Sequence, residues 1–497
     1  MIENLAMGFG VAMTWQNLAW CMLGVTLGTA VGVLPGLGTV ATISILLPLM
    51  YGTDNVVSAM IFMAGIYYGS QYGGSTTSIL LRMPGEAASV ITCLDGYAMN
   101  QRGRAGAALA ISALASFVAG TVATLLIALL AGPASHMALL FGSAEYAALL
   151  ALACLAAVAL GQNGFWQGLG LATLGILLGL VGTDVNSGMP RFTGGVLELY
   201  DGIGFGILAM GVFGLGEIIY NYLHVRTTPA QVPKFRELYP NSQELRDSVA
   251  PTLRGTAVGS AVGILPGGGA VLASFLSYAV EKAVGHRLHR FGQGAVPGLA
   301  GPEAANNAAA QTGFIPMLSL GLPTNAVMAL MLAGLIVNGV IPGPQVISQN
   351  PGLFWGLVAS MWIGNLLLLA LNLPLVGIWV RLLQIPRALL TVMILLICIY
   401  GAHSINNNWF DVAMLVPLAL LGYLLRRIGC DATPMAMGFV VGVMFEEHLR
   451  RALTISRGDW MTFIDRPISF TILCVAIIML ITVMIVRIRR AEKENNG

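Results

Sequence analysis

The chain has 497 residues, of which 57% are hydrophobic and 9% charged, with a mean hydropathy of +0.81. Soluble domains carry about 25% charged residues, so a soluble fold is excluded and a polytopic membrane protein is expected. The net charge of +2, with Lys and Arg confined to loops, gives no basic surface for nucleic acid, and six scattered cysteines without a CxxC spacing give neither a disulfide framework nor a metal site.

In chain order, MIENLAMGFGVAMTWQ has no Lys or Arg before its apolar part. It lacks the n-region of a cleaved signal peptide, so the first membrane segment is expected to be retained. GTAVGVLPGLGTV at 28–40 is apolar but broken by Pro and Gly. Lipid supplies no hydrogen bonds, so broken backbone at membrane depth is tolerated only where protein or a watery cavity solvates it. YGTDNVV at 51–57 has no basic residue, nor has any position up to 81, which assigns that side to the periplasm. GGSTTSILLRMPGE at 73–86 carries a second break, at Pro84, and NQRGRAG at 100–106 is basic. Apolar runs of crossing length, about 17 to 25 residues each, lie near 107–130, 147–160, 166–182, 202–223, 353–380, 388–402, 410–427 and 468–486. They lack the alternation of barrel strands, so an all-α fold is expected.

The polar stretch 224–254 holds five basic residues against three acids and reads as a cytoplasmic linker between membrane halves 1–223 and 255–497. Beyond it the first motif returns: GSAVGILPGGGAV at 259–271 is identical to 28–40 at 9 of 13 positions. The segment 251–285 is too long for one simple crossing and has PGGG at its middle, which predicts a re-entrant hairpin returning to the basic EKAVGHRLHRFG. Further on, the uncharged IPGPQVISQNPG at 341–352 answers the basic 100–106. Opposite charge bias in matching loops predicts two inverted-topology repeats, each with a re-entrant hairpin and a discontinuous helix. One stretch disagrees: Arg450, Arg451, Arg457 and Arg466 fall outside by this count, so either the count is off or protein holds those arginines.

Three motif pairs carry the chemistry. At the hairpin tips, Pro35, Gly36, Leu37, Gly38 and Thr39 match Pro266, Gly267, Gly268 and Gly269, where missing side chains let backbone N–H groups approach an anion; helix packing is the plainer use of such residues. At the second breaks, Pro84 aligns with Pro323. Unwound backbone is expected near Ser75 to Thr77 and Thr324 to Asn325; Ser75, Thr76, Thr324 and Asn325 are candidates for substrate oxygens, and Thr77, Pro84, Gly85 and Pro323 for a sodium ion, a hard cation that takes oxygen ligands. Hydroxyls bonding back to their own helix are the alternative. In PEAANNAAAQTG at 302–313, Asn306 and Asn307 join the substrate candidates, and Glu303 stands at the edge of a region, 304–380, without any charge. Glu303 is read either as functional or as a helix N-terminal residue at the interface; Arg82 and Glu86 are read either as a local ion pair or as anion attraction.

GVLPGLGT, YGGSTTSILLRMPGEAASV, PEAANNAAAQTGFIPMLSLGLPTNAVMALML and EEHLRRALTISRGDW closely resemble the large membrane subunit of the tripartite tricarboxylate transporter family, and the resemblance spans essentially the whole chain. It implies a multi-pass permease of the bacterial inner membrane, working with a small membrane subunit and a periplasmic solute-binding protein. The implied activity is ion-coupled import of carboxylates: tricarboxylic, dicarboxylic or aromatic acids. Sodium is the expected driver and protons the alternative; no other cofactor is implied. An intramembrane enzyme is disfavoured by the lack of HExxH and GxSxG, and a primary pump by the lack of a Walker GK[ST]. A passive anion channel remains the alternative to a symporter.

Overall fold

The computed structural model describes residues 2–34, 37–48, 55–138, 140–160, 164–184, 187–224, 239–267, 269–285, 290–343, 345–382 and 387–495. Its architecture is helical, with one two-residue strand pair, Gly182–Thr183 against Pro190–Arg191. Among the described residues, five helices are long and apolar enough to cross a membrane: Ala105–Leu130, Ser143–Leu160, Phe205–His224, Pro351–Asn372 and Trp409–Arg427. The apolar runs read from the sequence are helical over most of their length; 166–182 leaves its helix after Gly179 and ends in the strand at Gly182, and 202–223 becomes helical at Phe205. The run 353–380 divides into Pro351–Asn372 and Val376–Leu382, because Pro374 has no N–H to continue the ladder.

Helix Val56–Leu81 is buried without interruption from Ser58 to Leu80. Asn55 starts it by accepting the Val57 and Ser58 N–H groups (3.0 and 3.4 Å), and Arg82 ends it in the left-handed region (φ 56°). Pro84 disfavours helical backbone at Met83, so the helix cannot resume there. Between these ends the chain places Tyr, Ser, Gln and Thr where a lipid-facing helix would be apolar.

Helix Trp15–Val33 packs backbone to backbone on this helix. A Cβ added at Gly24, Gly28 or Gly32 would stand 2.4 Å from the carbonyl oxygen of Phe62, Ile66 or Ser70. Small residues at every fourth position permit such an approach. The same contact recurs between helices Ser242–Gly263 and Val296–Thr312. There a Cβ at Gly255 or Gly259 would stand 2.1 or 2.2 Å from the Gly301 or Ala305 oxygen, and one at Gly263 would stand 2.6 Å from Ala309. Helix Ser242–Gly263 begins inside the stretch read as linker, capped by Asn241 and Glu244 in a reciprocal box.

Charges gather at two ends of the molecule, separated by helix Ala105–Leu130, about 39 Å long at 1.5 Å per residue. At its start, Arg104 pairs with Glu244, and Asp95 accepts from Gly294 N (2.8 Å), Ala295 N (2.7 Å) and Tyr278 OH (3.1 Å). At the other end, Arg450 pairs with Asp184 (3.0 Å) and Glu446 (2.6 Å), Arg191 with Glu446 (2.7 Å), Arg451 with Glu447 (2.6 Å) and Arg466 with Glu145 (3.1 Å). Three of the four arginines that offend the charge rule are therefore held by carboxylates of the protein itself.

Candidate functional site

The two second breaks share one construction. Arg82 (φ 56°), Met83, Pro84, Gly85 and Glu86 correspond to Gly321 (φ 68°), Leu322, Pro323, Thr324 and Asn325. Each starts with a left-handed residue, passes through a proline and ends on a polar cap. Glu86 and Ser89 cap a 3-10 turn at Ala87–Val90, and Asn325 Oδ1 accepts from Met328 N (3.0 Å) to open helix Ala326–Val337. Arg82 does not pair with Glu86; its guanidinium lies over the Tyr97 ring, 5.9 Å from the centroid.

Hairpin tip one places Gly38 (φ −21°) before helix Thr39–Leu46; Pro35 and Gly36 lie outside the described residues. Thr39 presents its N–H (3.3 Å) and its hydroxyl to Glu86 Oε2, and the same hydroxyl pairs with Ser70 Oγ (2.5 Å). The Glu217 carboxylate stands on the other side, 3.4 Å from where a Cβ on Gly38 would be. Tip two is held differently. Gly267 (φ 74°) donates its N–H to Thr324 O (3.0 Å), and Gly269 (φ 53°) opens helix Gly269–Gly285 against the side chain of Asn325. Gly268 lies outside the described residues.

Tyr67 and Ser70 join the two tips. Ser70 Oγ donates to Tyr67 O (2.7 Å), and Asn325 Nδ2 donates to Tyr67 OH (2.9 Å). The path from Thr39 to Asn325 therefore crosses a single turn of helix Val56–Leu81. Neither Tyr67 nor Ser70 was singled out from the sequence, because both fall in an apolar-looking GIYYGSQYGG; their i, i+3 spacing was the only available signal.

The remaining candidates divide by environment. Ser75, Thr76 and Thr77 lie within intact helix, not in the break, which corrects the expectation of unwound backbone there. Thr77 Oγ1 bonds back to Gly74 O (3.1 Å). Pro84 is exposed, and Gly85 is a packing residue: an added Cβ would fall 1.8 Å from Gly32 O. Pro323 is buried. Asn307 Nδ2 donates to Ser116 Oγ (2.7 Å). Among the described residues, both amide atoms of Asn306, Thr324 Oγ1 and Gln71 Oε1 are buried without a partner, and such groups call for a ligand or water.

Glu303 is 1% exposed and lies in the middle of helix Val296–Thr312, so the reading as a helix N-terminal residue does not hold. It accepts from Ser75 Oγ (2.6 Å), Ser112 Oγ (3.1 Å) and Thr92 Oγ1.

The tripartite tricarboxylate transporter TctA family matches residues 18–438. An Agrobacterium vitis protein described as an uncharacterized 52.8 kDa protein in the TAR-I ttuC' 3' region is 49% identical over 489 residues, covering 98% of this chain and 97% of the relative. A second A. vitis protein, described as an uncharacterized protein in the TAR-II ttuC' 3' region, is 52% identical over 236 residues, 48% of this chain and 98% of the relative. No solved structure matches. With its multi-pass helical architecture and a family match across most of its length, the chain belongs to the tripartite tricarboxylate transporter TctA family.

Proposed function

We propose that this chain is the permease of a three-component importer that carries small tri-, di- or aromatic carboxylates across the bacterial inner membrane by ion-coupled secondary transport. A periplasmic solute-binding protein delivers the solute, and a small membrane subunit completes the complex. The observation that carries the reading is the meeting of both glycine tips on the Tyr67–Ser70 turn. The half-helix N-terminus at Gly269 presents N–H groups and a positive dipole end to this place, and the one at Thr39 holds the Glu86 carboxylate, whose position a substrate carboxylate would take over. Tyr67 OH, Asn325 and the unpartnered Thr324 hydroxyl supply neutral polar groups around it.

The reading includes two inverted repeats, 1–223 and 255–497, joined by a cytoplasmic linker at 224–254. The recurring glycine row supports the duplication. Inversion is supported by where the arms start. Arg104 and Glu244 tie the second hairpin's first arm to the basic loop 100–106. The first hairpin's arm instead starts where Ser58 donates to Asn17 (2.6 Å), at the opposite end of helix Val56–Leu81 from Leu80, whose carbonyl is held by Asn100 (3.0 Å). Both arms then act as re-entrant hairpins reaching the membrane midplane from opposite faces.

Reconstitution tests the function. Proteoliposomes holding the permease, the small subunit and the binding protein should accumulate a radiolabelled carboxylate against its gradient when an inward sodium gradient is imposed. Equilibration without accumulation would establish a passive channel. Accumulation indifferent to sodium and abolished by dissipating the proton gradient would make protons the driver.

A further inference from the structure

We infer that the coupling sodium ion binds beside Glu303, in a cavity lined by Ser75, Thr76, Ser112 and Asn372, rather than at the proline breaks. This rests on the ion-coupled reading above and gives its ion a place. Glu303 is buried, no Lys, Arg or His pairs with it among the described residues, and the chain carries no charge from 304 to 380. A buried carboxylate in such surroundings requires a cation or a proton. Three hydroxyls on three helices, Ser75, Thr92 and Ser112, converge on it, so both oxygens already accept hydrogen bonds.

The cavity next to these hydroxyls decides between cation and proton. It is water-sized and bordered by Tyr72, Ser75, Thr76, Ser112 and Asn372, with Leu109 and Ala113 as its apolar wall. Ser75 and Ser112 direct their protons to Glu303, and Tyr72 OH directs its proton to Asn365 Oδ1 (2.6 Å), which leaves oxygen lone pairs for the cavity. Asn372 is 4% exposed; its Nδ2 donates to Leu368 O (3.0 Å), while its Oδ1, on a side chain that borders the cavity, has no partner. With a proton on Glu303, that oxygen would depend on a water in the cavity, since no protein donor reaches it. A hard monovalent cation would take it together with the serine oxygens, and one carboxylate balances its charge. Calcium, which takes six to eight oxygens and usually several carboxylates, is poorly served.

The test uses the purified full-length chain and sodium itself. Thermal unfolding is followed in NaCl, KCl and choline chloride at equal ionic strength, since an ion that binds only the folded state raises the midpoint. Wild type should be stabilised selectively by sodium. Asn372→Ala and Ser112→Ala should weaken apparent sodium affinity by about 10- to 100-fold, the range for losing one supporting group of an ion site, and Glu303→Gln should abolish the sodium response. If Glu303→Gln fails to fold, Asn372→Ala decides alone, since its Oδ1 has no protein partner to lose. A sodium response unchanged in Asn372→Ala and Ser112→Ala overturns the site and leaves sodium coupling standing. A wild type indifferent to sodium, with proton-driven uptake, overturns both.

Discussion

The two hairpin tips have nearly the same sequence but are fastened in different ways. Tip two is held by backbone: Gly267 N–H on Thr324 O, with left-handed dihedrals at Gly267 and Gly269. Tip one is held by a carboxylate: Thr39 N–H and hydroxyl on Glu86, with Glu217 close behind. The matching cap in the second break is Asn325, which carries no charge. A backbone clamp is insensitive to ions in the site, whereas a carboxylate on a half-helix N-terminus occupies the place an anionic substrate would take. Tip one is therefore the tip whose fastening responds to charge, and tip two is the fixed reference.

The largest expected effect falls on the fixed tip. Gly267→Val combines a left-handed φ, costing about 1–2 kcal/mol for a residue with a Cβ, with a Cβ 2.5 Å from Ala157 Cα. Uptake normalised to membrane-inserted protein should drop to background. Gly269→Val, at φ 53° with its nearest atom 3.7 Å away, should retain more. Gly38→Val should be the mildest, because its φ is not left-handed and the nearest group is the mobile end of Glu217. Equal loss at Gly38 and Gly267 would break the distinction between the tips.

Exchanging the caps sharpens the same comparison. Asn325→Asp removes the donor to Tyr67 OH and adds a charge beside tip two, and should lower carboxylate affinity by roughly tenfold, the cost of a lost hydrogen bond near 1.4 kcal/mol. Glu86→Gln keeps a side chain able to accept from Thr39 and removes the charge, so carboxylate binding to the purified chain should tighten. Tyr67→Phe should cost about 1 kcal/mol, roughly fivefold in affinity, read from the same titration.

The smallest effect concerns the anchor of the second hairpin's first arm. Burial pushes the Glu244 carboxyl up, but the Arg104 guanidinium and the Asn241 N–H outweigh it and hold it below the usual carboxylate range. A group lowered in the folded state stabilises above its unfolded pKa, near 4.3, and loses that contribution as pH falls through the folded value. Glu244→Gln should therefore lower stability by about 0.2–1 kcal/mol at pH 7, with the difference from wild type vanishing in acid unfolding.

Much of this fold was legible in the sequence because membrane helices are written as long apolar runs and breaks as Gly and Pro. The breaks at Pro84 and Pro323, beyond helices Val56–Leu81 and Phe314–Leu320, were found that way. The polar interior of Val56–Leu81 was not, since Tyr67 and Ser70 acquire their meaning only from Asn325, 258 residues away, and Thr39, 31 residues away. Ser75 to Thr77 were expected in unwound backbone but lie within a helix, because Ser and Thr hydroxyls can satisfy themselves there. Glu303 was noticed for its isolation, while its three hydroxyl partners lie on segments that no local spacing connects.

The central claim is that the tips approach one site from opposite faces, and accessibility of the hairpin entrances tests it most directly. Single cysteines at Met13, in the exposed turn before the first arm, and at Gln243, at the start of the second, would be placed in a background with the native cysteines replaced. Opposed hairpins predict that a membrane-impermeant thiol reagent labels Met13→Cys from the periplasm and Gln243→Cys only after the membrane is opened. Labelling of both from the same face would contradict a shared site between opposed tips.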